Sequence, residues 1–173
     1  MTRFAPLLAM LPLLAVPASG QALAGHNAKA PVDVEADRIE VQDRADRAVF
    51  SGNVRVNQGG LRLSASRLTV AYSNDGGGVD IDRLDASGGV TVTSASESAS
   101  GEFAIYDLPR RIITVVGGVT LTKGGNRISG GRLVIDLNSG RAVVDGSAVG
   151  GAAGVEGQTG GRVTGRFTVK QGE

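Results

Sequence analysis

Three acidic residues two apart, Asp33, Glu35 and Asp37, are the first side chains along the chain that could do chemistry together. Carboxylates in pairs can share a proton and divide the roles of acid and base. A period of two, however, places all three on one face of a strand, where a solvated outer face is the ordinary outcome. Asp75-Gly76-Gly77-Gly78-Val79-Asp80-Ile81-Asp82 comes near the Gly-Asp nonapeptide that binds calcium in β-rolls. It occurs once, with Asp where the first Gly belongs, and reads as an acidic hairpin loop. Gly76-x-Gly78 lacks the third glycine of a dinucleotide loop, since Ile81 stands in its place. None of Lys29, Lys123 and Lys170 follows a glycine, so no phosphate-binding G-x-x-x-x-G-K exists, and G-x-S-x-G is absent. His26 is the single histidine and the chain has no cysteine. Thiol catalysis, disulfides, thiolate metal sites, multi-histidine sites and a histidine-based triad are all excluded. The expectation is no catalytic residue, no metal and no cofactor, with His26 a solvated bystander.

The charge balance narrows the partners. Eighteen Lys and Arg face 17 Asp and Glu in 173 residues, and there is no Trp. A nucleic-acid surface would show a basic stripe with stacking aromatics, so nucleic acid is not an expected partner. The 27 glycines alongside ordinary charge content point to a turn-rich fold.

What positions these residues is a set of strands. Arg3 precedes an apolar run from Phe4 to Val16, followed by small residues up to Ala22-Leu23-Ala24. This predicts a secretory signal peptide over 1–24, cleaved after Ala24, because the run is too short for the ~20 residues of a membrane span. A flexible tail is expected over 25–30, one β-domain over 31–149, and a Gly-rich tail over 150–173 carrying an extra strand around Val163, Gly165, Phe167 and Val169. Within the domain, apolar residues alternate across Ala48, Phe50, Gly52, Val54 and Val56, across Leu84 to Val92, and across Ile113 to Leu121. A glycine sits in the middle of each run without breaking parity, which predicts a corner where the strand curls over. Leu61 and Leu63 are odd while Leu68, Val70 and Tyr72 are even, so a bulge is expected near Ala65-Ser66. The segment from Gly52-Asn53-Val54 to Leu68 lines up with Gly117-Gly118-Val119 to Leu133, and Gly88-Gly89-Val90 is a shorter echo. Repeated units of this kind stack to bury one core, giving an elongated antiparallel structure of two facing sheets. The interior is expected to include Ile39, Val41, Phe103 and Ile105 among many aliphatic residues, and the sequence leaves open whether it is tight or holds a gap.

Five segments, in order, carry a resemblance. Pro31 to Asp37, Phe50-Ser51-Gly52-Asn53-Val54-Arg55-Val56-Asn57-Gln58-Gly59, Ala65 to Val70, Ala99 to Leu108 and Gly117 to Asp136 resemble the OstA-like family of periplasmic lipopolysaccharide-transport bridge proteins (LptA). Gly118 departs from the family pattern, which has Asn there, and the tail after 150 is longer than the pattern requires. The resemblance implies an all-β, twisted antiparallel β-jellyroll of two facing sheets, open at both ends. It implies a non-enzymatic periplasmic protein that carries lipopolysaccharide by its lipid A acyl chains in an apolar groove, driven by an ATP-consuming inner-membrane transporter. The implied partners are an inner-membrane LptC-like and an outer-membrane LptD-like component, joined by strand addition, and a head-to-tail homo-oligomer. Two other readings stay open: a membrane-anchored LptC-like partner of the same fold, and a lipid-free β-solenoid or adhesin-like structural protein.

By position in the matched motifs, the groove mouth is expected at Val32, Val90, Tyr106 and Leu108, with Phe50, Phe103 and Ile105 deeper. Tyr106 is the preferred lipid contact, because a ring with one polar tip suits the rim of an apolar channel. The docking edges are expected along Val32, Val34, Ile39 and Val41 at one end and Leu133, Ile135 and Val143 at the other. Arg62, Arg67, Arg127 and Arg132 could meet phosphates, though a solvated outer face is the preferred reading.

Overall fold

Among the described residues, alternating Val, Ile, Leu and Thr between Gly- and Asn-rich turns build ten strands in one antiparallel sheet. A computed structural model describes residues 26–74, 77–146 and 161–168. The expected signal peptide with its Ala24 site, Asp75-Gly76 of the acidic loop, and the linker of the tail lie outside the described residues. The strands are β1 (Asp33–Glu35), β2 (Arg38–Gln42), β3 (Arg47–Gln58), β4 (Leu61–Asn74), β5 (Val79–Thr93), β6 (Glu97–Asp107), β7 (Ile112–Lys123), β8 (Asn126–Asp136), β9 (Arg141–Asp145) and β10 (Thr164–Arg166). They run in the order β1-β3-β4-β5-β6-β7-β8-β10, with β2 also on β3 and β9 also on β8. The sheet is not closed into a barrel.

The long strands are creased in the middle. Gly52-Asn53 stand against Ser66 alone, Gly88-Gly89 against Glu102, and Gly117-Gly118 against Gly131, each a two-against-one bulge. Gly88 and Gly89 have φ of 83° and 78°, and Asn53, at 46°, is the residue type best suited to the left-handed region after glycine. Gly118 sits at 58° in the position equivalent to Asn53. A Cβ on Gly88 would lie 2.7 Å from the Ser66 Cβ, so the crease needs glycine for closeness as well as conformation. Asp37 secures the first crease: its amide donates to the Gly52 carbonyl at 2.9 Å, and its carboxylate accepts from the Asn53 amide at 2.8 Å. Its carboxylate is thus engaged by the Asn53 side chain.

The aligned creases fold the sheet into two facing layers. One layer holds β1, the halves around Val54–Gln58, Leu61–Ala65, Val90–Thr93, Glu97–Gly101, Val119–Lys123 and Asn126–Gly130, and β10; the other holds β2, the remaining halves, and β9. Between them lies one core, with Leu68, Val92, Val115, Leu133 and Ile135 at 0% exposure. Truncating one of these leucines to alanine costs about 2–5 kcal/mol.

Parity across the crease explains where the expected interior was wrong. On β3, β5 and β7 the inward row keeps its parity, as the alternation predicts. On β4, β6 and β8 it switches: Ala99 is buried before the crease of β6 and Ala104 and Tyr106 after it. Phe103 and Ile105 therefore fall on the outer face, with Phe103 50% exposed. The same shift on β4, between Ser64 and Arg67, is the bulge expected near Ala65-Ser66. Ile39 and Val41 are also outside, 55% and 61% exposed on edge strand β2.

Candidate functional site

The space between the layers opens on the side away from the crease, where two sets of hairpin ends form the lips. Val56, Gln58, Leu61 and Leu63 come from one layer, Leu84, Ala104, Tyr106 and Ile113 from the other, and together with Val32 they line an apolar cavity of about 20 Å³. That volume holds about one water molecule. The sequence left open a tight core or a gap, and the structure is tight. The apolar space implied by the resemblance is narrow in this structure, lined by Val, Leu and Ala side chains of both layers.

A strap closes the mouth. Residues 26–30, from the expected flexible tail over 25–30, lie against the β3–β4 turn. The Asn27 amide donates to the Gly59 carbonyl at 3.0 Å, and the Gln58 Nε2 donates to the carbonyls of Ala28 and Ala30 at 3.2 and 3.1 Å. His26 Nδ1–H donates to the Gln58 carbonyl at 3.1 Å, leaving Nε2 to accept from the Tyr106 hydroxyl at 3.5 Å. Gln58 and Tyr106 belong to opposite layers, so the strap bridges the lips. His26 is not the expected bystander. Its ring meets that of Tyr106 edge-on, with centroids 6.5 Å apart. Burial, the larger cause, and the Arg111 charge hold its pKa below 6.5, against the opposing bond to the Gln58 carbonyl. Burial raises the Tyr106 pKa above 10.

The expected groove residues separate into groups. Val32 and Tyr106 line the cavity, Val90 is buried in the core near the crease, and Phe50 and Leu108 pack against the core from partly buried positions. Phe103 and Ile105 are excluded by their outward direction. Of the expected docking residues, Val32, Val34, Ile39 and Val41 lie along the β1 and β2 edge, and Val143 lies on edge strand β9. Leu133 and Ile135 do not lie on an edge: β9 covers the outer side of β8 there, and both side chains are in the core. Arg62, Arg67, Arg127 and Arg132 are exposed on the outer faces.

Sequence reasoning missed Gln58, which is 5% exposed and holds the strap. A polar residue ending an inward apolar row, after Val54 and Val56, was the available signal. Buried Glu97 at the same lip is paired with Lys123 across β6 and β7. Among the described residues, no group of three or more His, Cys, Asp or Glu could hold a metal ion. Chemically the site offers apolar enclosure, with a rim of Tyr106, Gln58 and His26.

Three comparisons bear on this arrangement. The profile of the LptA/(LptD N-terminal domain) LPS transport protein family matches residues 33–141. An uncharacterized protein of Rhizobium meliloti (strain 1021) is 36% identical over 121 residues, covering 66% of this chain, and the chain spans 65% of that relative's length. The crystal structure of LptH, the LptA-homologous periplasmic component of the lipopolysaccharide transport device of Pseudomonas aeruginosa, superposes with a TM-score of 0.68. The two are 18% identical, and the match covers 82% of this chain and 97% of LptH, which establishes the shared fold.

Proposed function

The chain belongs to the LptA/(LptD N-terminal domain) LPS transport protein family, and from that premise we propose that it carries lipopolysaccharide through the periplasm without enzymatic action, holding lipid A acyl chains between its two layers. One observation carries the reading: the layers meet through side chains across an apolar interior, while every strand pairing runs within a layer. Parting the lips gives up packing and leaves the backbone ladders intact. Burying a chain of about 14 carbons returns on the order of 10 kcal/mol gross, at about 0.8 kcal/mol per CH₂. The acyl chain thus replaces contacts that the layers make with each other at rest.

Entry is at the mouth, past Tyr106 and Val32, with the strap lifted. The push for onward movement comes from outside the chain, which holds no nucleotide-hydrolysis motif. Transfer proceeds by strand addition at the β1/β2 and β9/β10 edges, to an LptC-like partner on the inner-membrane side and an LptD-like partner on the outer-membrane side. Exposed backbone on edge strands suits that use.

The test is photo-cross-linking to lipopolysaccharide from a probe at the mouth, together with mass spectrometry of protein gently extracted from the periplasm. Lipid A species should co-purify with the wild type. Tyr106→Asp places a charge in the apolar rim and should abolish the cross-link in a protein whose circular dichroism is unchanged. Wild-type cross-linking by the folded variant, or protein that emerges without lipid, defeats the groove reading.

A further inference from the structure

Gln58 and Ser94 hold buried side-chain oxygens, Oε1 and Oγ, that have no hydrogen-bond partner among the described residues. Strand register puts the two residues in one row. Gln58 pairs with Leu61 across the β3–β4 turn, and Ser94 stands one step beyond the Arg62–Thr93 pair, beside Leu61. The Ser94 amide donates to the Glu97 carbonyl at 2.9 Å. Arg62 is exposed and Leu61 is buried, so the row Gln58, Leu61, Ser94, Glu97 faces inward along the lip of one layer. Gln58 and Ser94 are two strand spacings apart in it, about 10 Å.

The neighbours decide which atoms a ligand could use. Both Nε2 hydrogens of Gln58 are taken by the carbonyls of Ala28 and Ala30, which fixes the amide and leaves Oε1 as the idle end. Glu97 is ion-paired with Lys123. A buried acceptor without a donor carries an uncompensated desolvation cost. A water in a cavity needs about two to four polar partners, whereas Gln58 and Tyr106 are the polar side chains lining this one and the rest are aliphatic. A hydroxyl tethered to a hydrocarbon chain needs no such set, because the apolar walls already hold the chain and a single bond suffices.

We infer that the Gln58–Ser94 row is a polar subsite for acyl chains that carry a hydroxyl a few carbons from the head, the O–H donating to Gln58 Oε1 or Ser94 Oγ. The place of the row sets the place of the hydroxyl. It lies at the lip, and inward of it come Val56, Leu63 and Val92 of the core, which suit only hydrocarbon. This rests on the groove reading above and names the class of acyl chain that the groove selects.

The test is competition on the mature protein, with tetradecanoic acid and 3-hydroxytetradecanoic acid each displacing a fluorescent polyene fatty acid. The hydroxylated acid should bind about two- to tenfold more tightly, the net worth of one hydrogen bond. Gln58→Leu should reduce that ratio and bind the plain acid at least as well, since leucine removes the idle oxygen; adding Ser94→Ala should bring the ratio to one. Asn27→Pro, which removes the strap amide bonded to the Gly59 carbonyl, should change both affinities alike and keep the ratio. Equal affinity of the wild type for the two acids overturns the subsite and leaves the groove standing. A ratio that survives in the double variant, or one lost in Asn27→Pro, overturns it as well. A wild type that binds neither acid nor the polyene defeats the groove reading itself.

Discussion

Replacing Gln58 with leucine should lift the strap without unfolding the body. The Gln58 Nε2 bonds to Ala28 and Ala30 are each worth about 0.5–1.5 kcal/mol net, so their loss costs strap closure about 1–3 kcal/mol. At 1.4 kcal/mol per factor of ten, the lifted population rises about 5- to 150-fold. The remaining Gln58 oxygen, Oε1, is buried without a hydrogen-bond partner. Removing it returns about 1–3 kcal/mol of desolvation cost, and leucine keeps the apolar volume. The lost bonds weigh on strap closure and the relieved oxygen on the body, so the urea midpoint of the body should not fall. Amide hydrogen exchange by NMR reads the strap directly at Asn27, bonded to the Gly59 carbonyl, and at Ala30, bonded to the Asn27 carbonyl. Stopped-flow uptake of a fluorescent polyene fatty acid reads the mouth. Both should accelerate by a similar factor. Faster exchange with unchanged uptake would refute the mouth as the entry route, and unchanged exchange would refute Gln58 as the clasp.

Three further outcomes follow from the same geometry. Because burial lowers the His26 pKa, the closed strap binds a proton less readily than the released one; closure is fully present above 6.5 and weakens as pH falls below it. Strap exchange, corrected for its intrinsic pH dependence, should accelerate as pH falls from neutral through 6.5, and His26→Gln should remove the acceleration; a flat profile in the wild type contradicts the assignment. At the crease, Gly88→Ala meets the Ser66 Cβ at a φ of 83° and should cost about 1–3 kcal/mol in urea unfolding. Asn53→Gly should lose less than about 1 kcal/mol, because the conformation is kept and only the bond to Asp37 goes.

The crease was legible where glycine marked it and parity stayed constant, as on β3, β5 and β7. Ala65-Ser66 betrayed the switch on β4 because leucines flank it on both sides. On β6 the same switch was hidden: Phe103 and Ile105 look like an inward row when read alone, and only the pairing of Ser87 with Phe103 and of Val90 with Gly101 shows that they are not. The strap was illegible for a different reason. Gln58 and Ala30 are 28 residues apart and His26 and Tyr106 are 80 apart, so no local pattern announces their contact. The alternation in the tail did signal a strand, and its partner, β8, was beyond what periodicity can name. Leu133 and Ile135 looked like an edge because β8 is late in the chain, yet a hairpin return through β9 makes it interior.

Because each long strand contributes to both faces, bore and length are set by different parts of the chain. The bore follows from the crease and the side chains beside it, whereas length grows with every hairpin, about 4.8 Å per strand. A hairpin gained or lost would therefore alter the span of the sandwich by two strand spacings and leave its cross-section as it is.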